Sequence, residues 1–162
     1  MALGSKHVTN MPAVTNAMVE QYRRDGFLVM RNMVTGGETE RLKRGVLQIC
    51  RNETESTFRG QIFEPPASDQ EALRRYLAVH APDKLSDTIG QFVRHHGPMH
   101  AVLRRLMGSA DIRYYSTMLF IKSPGDPGHN THQDEFYIPT QNHSLTTTWV
   151  PLGLSPIVTS QF

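Results

Sequence analysis

The segment DIRYYSTMLFIK, residues 111–122, marks a change in the character of this chain. It is rich in aromatic and β-branched residues, which favour the pleated, half-buried surface of a strand. The turn-rich connection SPGDPGHN follows it. Two later segments, EFYIPT (135–140) and SLTTTWVPLGL (144–154), also predict extended structure. The second part of the sequence therefore predicts antiparallel strands.

The part of the chain before this segment has helical patterning. The apolar spacing and the capping signals predict helices over 15–24, 35–51, 69–77, about 86–95 and 98–107. Thr35 and Glu38 have the spacing of a capping box at the start of the second helix. FLVMR (27–31) is predicted to be a short buried strand. Helices followed by strands predict an α+β fold, in one domain with a helical part at about 15–108, a β part at about 111–154 and a tail at 155–162.

Length, charge and cysteine content limit the class of protein. A chain of 162 residues suits one domain with its own core. The net charge is only +2 and the basic residues are scattered, so we expect no nucleic-acid partner. No apolar run has the length of a membrane span. The single cysteine, Cys50, lies at an apolar helix position and is predicted to fill the core in a reducing compartment. We therefore expect an intracellular protein, cytoplasmic in the simplest case, with the peroxisome left open.

The stretch GHNTHQDEFYIPT, residues 128–140, contains the candidate chemistry. His132 and Asp134 are two positions apart, so on a strand both side chains would point to one face and reach one ion. Imidazole and carboxylate suit a divalent transition metal, and a further histidine would complete the facial triad of non-haem Fe(II) oxygenases. The tripeptide alone is a weak pattern. The alternative is a polar loop in which Asp134 caps a turn and His132 is solvated.

A longer stretch, MLFIKSPGDPGHNTHQDEFYIPTQNHSLTTTWVPL (118–152), resembles the phytanoyl-CoA dioxygenase family of Fe(II)- and 2-oxoglutarate-dependent oxygenases. It contains a strand that ends in lysine, a Pro/Gly loop, the His-Gln-Asp box, an aromatic-proline extension and a segment with threonines and tryptophan. YRRDGFLVMRNMVTGGETERLKRGV (22–46) is similar to the family's first helix and strand. The resemblance implies N-terminal helices packed on a double-stranded β-helix of the jelly-roll or cupin-like kind.

The resemblance also implies roles for individual residues. His132 and Asp134 would be two of the three protein ligands to Fe(II). Three further residues would border the 2-oxoglutarate: Met118, Lys122 and Trp149. Tyr137 would help to close the site. A lysine offers a cation to a carboxylate, and aromatic rings form an apolar wall that excludes water. The alternative for Met118 and Trp149 is ordinary core packing.

The sequence departs from the family after the tryptophan. In the family, the second iron-binding histidine and the arginine that pairs with 2-oxoglutarate come later in the chain. Here no histidine or arginine follows His143, and the tail SPIVTSQF is unlike the family. We therefore expect a C-terminally truncated domain that is inactive on its own. His129 or His143 would serve as the third ligand only in a rearranged loop.

The implied activity is hydroxylation of a small organic or acyl substrate. Fe(II) and the cosubstrate 2-oxoglutarate would be required, and ascorbate would support the reaction. We expect a small-molecule substrate as partner, without nucleic acid or membrane, and the oligomeric state stays open. Two alternatives remain: a catalytically inactive relative or truncated isoform that acts as a binding or regulatory protein, and a cupin-like protein with a structural metal. Stoichiometric succinate production would separate an oxygenase from both.

Overall fold

The computed structural model describes residues 13–51, 64–122 and 132–153. Within these ranges the chain forms six α-helices, one 3-10 helix and two short strands. In chain order they are α1 (Asn16–Asp25), α2 (Gly36–Cys50), α3 (Asp69–Arg74), β1 (Ala78–His80), the 3-10 helix Pro82–Lys84, α4 (Asp87–His95), α5 (Gly97–Met107), β2 (Met118–Phe120) and α6 (Asp134–Tyr137). In the described ranges, no helix has the length and apolar character needed to cross a membrane.

The helix α2 is the centre of the fold. The predicted capping box begins it, with the Glu38 amide donating to the Thr35 hydroxyl at 3.2 Å and the Thr35 amide donating to the Glu38 carboxylate at 2.8 Å. One face of α2 packs against α3, α4 and β1. The buried residues of this core are Leu42, Val46, Ile49, Cys50, Ala72, Val79 and Ile89.

Two residues of α2 explain details of this packing. A Cβ atom on Gly45 would lie 2.8 Å from Ser86 Oγ, so glycine permits the close approach of α2 to the start of α4. Cys50 is only 1% exposed, and burial raises the pKa of its thiol to about 11. The prediction that Cys50 fills the core is confirmed, because its side chain is buried in the core cluster. A thiol with this pKa is protonated at neutral pH.

The strands β1 and β2 pair in an antiparallel sheet. Val79 of β1 is fully buried and lies opposite Leu119 of β2, which packs against the same core. Because side chains alternate along a strand, Met118 and Phe120 lie on the other face, away from the core. This outer face of the sheet carries Met118, one of the predicted site residues.

The predicted strands are mostly wrong. Residues 27–31, all in the described part, form no strand, and no neighbouring described segment pairs with them. Only Met118–Phe120 of the segment 111–122 is a strand, because its partner β1 is three residues long. The predicted helix from Asp69 to Leu77 ends at Arg74, and its continuation turns into β1. Its N-cap is Ser68, whose hydroxyl accepts from the Glu71 amide at 3.2 Å.

The two segments predicted as extended near the histidine box also differ. Within 135–140, the first residues belong to the helix α6, whose two acidic residues are favoured at a helix N-terminus by the helix dipole. The described part of 144–154, residues 144–153, contains no strand. Helices with a small antiparallel sheet agree with the predicted α+β class. The two strands seen in the described ranges do not make a double-stranded β-helix.

Candidate metal centre

His132 and Asp134 lie at the start of α6. Gln133 is the N-cap of this helix and has an extended backbone, and Asp134 is its first residue. The prediction that the pair shares a strand face is therefore wrong. The two side chains meet nevertheless, with His132 Nε2 3.3 Å from Asp134 Oδ1. They are 42% and 39% exposed, so a ligand can reach both from solvent.

Two donor atoms at this separation fit one metal ion. Bonds of about 2 Å from a metal to nitrogen and oxygen can span up to about 4 Å between the two donors. Imidazole nitrogen with carboxylate oxygen is a donor set that suits Fe(II). In the ranges described, no three His, Cys, Asp or Glu residues come together as a metal site. In the described ranges the structure therefore brings together two potential metal donors, and their role as iron ligands stays a prediction.

Of the other two histidines near the box, only His143 is among the described residues. His129 lies outside the described residues. His143 is exposed, and its Nδ1 is 3.7 Å from Glu135 Oε1. A role for either as a third ligand stays a prediction that requires a different loop arrangement.

The second oxygen of Asp134 is held by a hydrogen bond. Thr147 Oγ1 donates to Asp134 Oδ2, across thirteen positions of sequence. The two oxygens of this carboxylate therefore face different partners, one towards His132 and one towards Thr147. Such hydrogen bonds to a ligating carboxylate fix its orientation.

The neighbouring acid, Glu135, has a different environment. Its carboxylate accepts hydrogen bonds from the Thr140 amide at 2.6 Å, the Thr140 hydroxyl at 2.7 Å and the Leu145 amide at 2.8 Å. The Thr140 hydroxyl and amide lower the pKa of Glu135, against the opposing effect of burial, and the Leu145 amide adds to the lowering. An ionised Glu135 thus closes the loop after α6 and holds segment 144–153 against it.

The ring of Tyr137 lies beside the imidazole of His132. The ring centroid of Tyr137 is 5.7 Å from that of His132 in an edge-on arrangement, and Phe136 contacts Tyr137 in the same way at 5.1 Å. Both aromatic side chains are exposed. The structure thus brings Tyr137 to the candidate ligands His132 and Asp134, named the metal pair from here on, whereas its role in closing the site stays a prediction.

The predicted cosubstrate residues lie on or beyond the outer face of the sheet. Trp149 stacks on Phe120, with centroids 5.5 Å apart and rings 6° from parallel. Trp149 is 67% and Met118 45% exposed, so neither side chain is ordinary core packing. Lys122 is exposed two residues beyond β2. Thr147, two residues before Trp149, connects this face to the metal pair.

A separate groove lies between α2 and α4. It has a volume of about 450 Å³, and its lining includes Glu38, Arg41, Asp87, Phe92, His95 and His96. None of the predicted site residues lines it. The candidate site is therefore separate from this groove.

Sequence reasoning did not identify Thr147 and Glu135 as supporting residues. Segment 144–154 has strand-like composition, and a strand prediction gives its threonines no individual partners. The observation that could have suggested them is the run of threonines at 146–148 close after two adjacent acids at 134 and 135.

Comparison with known proteins gives one match. The family model of phytanoyl-CoA dioxygenase (PhyH) matches residues 22–154, which is well over half of this 162-residue chain. No curated protein and no solved structure matches. The phytanoyl-CoA dioxygenase family is a dioxygenase family that generally uses Fe(II) and 2-oxoglutarate, which supports an oxygenase at the level of the family. The chain belongs to the phytanoyl-CoA dioxygenase family.

Proposed function

We propose that this chain carries the His-x-Asp metal site of an Fe(II)- and 2-oxoglutarate-dependent oxygenase that hydroxylates a small organic or acyl substrate. The observation that supports this most is the 3.3 Å separation of His132 Nε2 and Asp134 Oδ1 on an accessible surface. Family membership supplies the expectation of which metal and which cosubstrate bind there. When bound, Fe(II) and 2-oxoglutarate supply the oxidising chemistry, and the protein supplies binding and orientation.

In this proposal the metal pair acts as a ligand set. His132 would hold the metal through Nε2 and Asp134 would hold it through Oδ1, since ligands of both types bind metals in their deprotonated form. The exposed position of the pair leaves room for further ligands from a cosubstrate. We also propose that the complete fold around it is the double-stranded β-helix of the family, with β2 as one of its strands.

The outer face of the sheet is the proposed cosubstrate wall. Lys122 would offer its ammonium group to a carboxylate of 2-oxoglutarate. Met118 and the stacked rings of Phe120 and Trp149 would form the apolar part of the wall, which limits access of water to the reacting atoms. Thr147 links this wall to the metal pair by its contact with Asp134.

A second candidate is a relative that retains the metal pair and binds without turnover. The proximity of His132 and Asp134 is also compatible with this role, since two donors can hold a metal ion without turnover. A structural or regulatory metal would then occupy the same two donors. Metal retention and succinate production distinguish the two candidates.

Metal binding is measured on the 162-residue chain with Fe(II), and succinate release is measured with 2-oxoglutarate and ascorbate on the same domain extended to the full length of the family. We expect His132→Ala and Asp134→Ala to weaken metal binding by more than about 100-fold, beyond the range for residues that only support a ligand. His95→Ala is the matched control, because His95 is an exposed histidine on α4 that lines the separate groove. Its metal binding should equal that of the unaltered chain.

Each outcome selects between the candidates. Succinate release that is lost in both ligand variants supports the oxygenase. Metal binding that depends on the pair, without succinate, supports the second candidate. Binding that is unchanged in His132→Ala and Asp134→Ala would overturn both, because the pair would not be the ligand set.

A further inference from the structure

We infer that Thr147 is a positioning residue for Asp134, and this inference rests on the proposed function. Its hydroxyl donates to Asp134 Oδ2, which leaves Oδ1 beside His132 Nε2. Thr147 would not touch the metal. It would act through the carboxylate, by fixing which oxygen faces the imidazole.

An aspartate needs such a partner if one oxygen is to stay in place. The terminal torsion of Asp is broad, so an unrestrained carboxylate turns and exchanges its two oxygens. A hydroxyl that donates to a carboxylate makes a charge-assisted hydrogen bond, which is stronger than one between neutral groups. Asp134 is partly exposed, and water would otherwise compete for both oxygens. The hydrogen bond from Thr147 therefore reduces the orientations that the carboxylate samples.

Thr147 itself is held on both sides. Two residues before it, the Leu145 amide donates to Glu135 Oε2 at 2.8 Å. Two residues after it, the ring of Trp149 stacks on Phe120 of β2. Thr147 therefore lies in the sequence between two anchored residues, one tied to α6 and one to the sheet.

The same segment is also tied to the core. Val150 and Leu152 pack against the buried cluster around α2. Tyr22 of α1 comes within 3.4 Å of the Thr146 hydroxyl through its own hydroxyl group. The position of Thr147 is thus determined by the folded domain, and Asp134 takes its orientation from it.

The neighbouring residues provide matched variants. Thr147→Val removes the hydroxyl and keeps the shape, whereas Thr147→Ser keeps the hydroxyl and removes a methyl group. Thr148 is exposed beside it and makes no hydrogen bond with the residues that the structure describes, so Thr148→Val is the control for the same substitution. A purely structural role of residue 147 would not distinguish Ser from Val in metal affinity.

The test is a Co(II) titration of the full chain, followed by the visible absorption of the bound ion. We expect Thr147→Val to raise the dissociation constant for Co(II) by about tenfold, up to about 100-fold, which is the range for residues that orient a metal ligand. Thr147→Ser should restore the affinity to within about threefold of the original chain, because the hydrogen bond remains. Thr148→Val should leave it unchanged.

His132→Ala separates this inference from the proposed function. If the unaltered chain binds no Co(II), or His132→Ala binds it equally well, the proposed function fails and the inference fails with it. If His132→Ala loses binding while Thr147→Val keeps it, only the positioning role is overturned.

Far-UV circular dichroism shows whether each variant folds. Thr147→Ala is the second hydroxyl-free variant, and failure of both to fold would assign Thr147 a structural role and overturn the inference.

Discussion

Asp83 is a buried carboxylate that ties the 3-10 helix to the start of β2. It is 5% exposed, and its Oδ1 accepts a hydrogen bond from the Thr117 hydroxyl. Arg94 Nη1 lies 3.9 Å from its Oδ2. Because Thr117 directly precedes Met118, loss of this contact should loosen the strand that carries the proposed cosubstrate wall.

The expected size of the effect follows from these contacts. A hydrogen bond to a charged group contributes about 1.5–3 kcal/mol to stability. The Arg94 side chain is 43% exposed, so its ion pair adds about 0.5 kcal/mol at most after screening by solvent. Asp83→Ala should therefore lower the free energy of unfolding by about 1.5–3.5 kcal/mol. In a double-mutant cycle with Thr117→Val, the coupling free energy should be at least about 1.5 kcal/mol.

The assay is urea unfolding followed by far-UV circular dichroism and by the fluorescence of Trp149, the single tryptophan of the chain. Asp111→Ala is the matched control. Asp111 lies 3.8 Å from Arg113, but these side chains are 79% and 90% exposed. Its removal should change the free energy of unfolding by less than about 0.5 kcal/mol. A coupling energy near zero between Asp83 and Thr117, or equal effects of the two Asp variants, would refute the reasoning.

Three further predictions concern single side chains. Since the pKa of Cys50 is raised to about 11, iodoacetamide should modify the Cys50 thiol slowly at pH 9 in the native chain and rapidly in urea. Fast labelling of the native chain would contradict the burial of Cys50. Lys122→Ala should weaken 2-oxoglutarate binding by about tenfold, as measured by Trp149 fluorescence, and the control Lys43→Ala on α2 should have no effect. Equal affinities of Lys122→Ala and the original chain for 2-oxoglutarate would show that Lys122 is not part of the site. The folded pKa of Glu135 lies below its usual value of 4.5, so its stabilisation is present above that pH and is lost as pH falls through the folded pKa. The urea midpoints of the original chain and Glu135→Gln should therefore converge in acid, and a constant gap would contradict this.

The helices were predictable because their signals are local. The capping box of Thr35 and Glu38 and the glycine at 108 act within a few residues of the helix ends that they define. The strands depend on distant partners, and β2 is limited to the three residues that β1 can pair. No local pattern of residues 111–122 contains that limit. A tertiary contact therefore decides the length of the strand, in spite of a composition that favours a longer one.

The metal pair was predictable only in part. The residue types and their spacing identified His132 and Asp134, and the structure brings them into contact. The predicted reason, a shared strand face, is wrong, because the helix α6 begins at Asp134. The contact forms instead because Gln133 is extended between them, so the backbone changes from extended to helical within the tripeptide. Thr147 could not be found in this way, since its partner lies thirteen positions earlier in the chain.

The two adjacent acids at the start of α6 point in different directions and have different partners. Neighbouring residues on a helix do not face each other, since there are 3.6 residues in each turn. Asp134 can therefore stay towards His132 while Glu135 turns to the loop and accepts three hydrogen bonds. Both carboxylates contact segment 144–153, Glu135 at Leu145 and Asp134 at Thr147. The residue that orients the proposed ligand is thus anchored by the acid next to that ligand. A change at Glu135 should consequently reach the metal pair through Thr147, although Glu135 is not itself a proposed ligand.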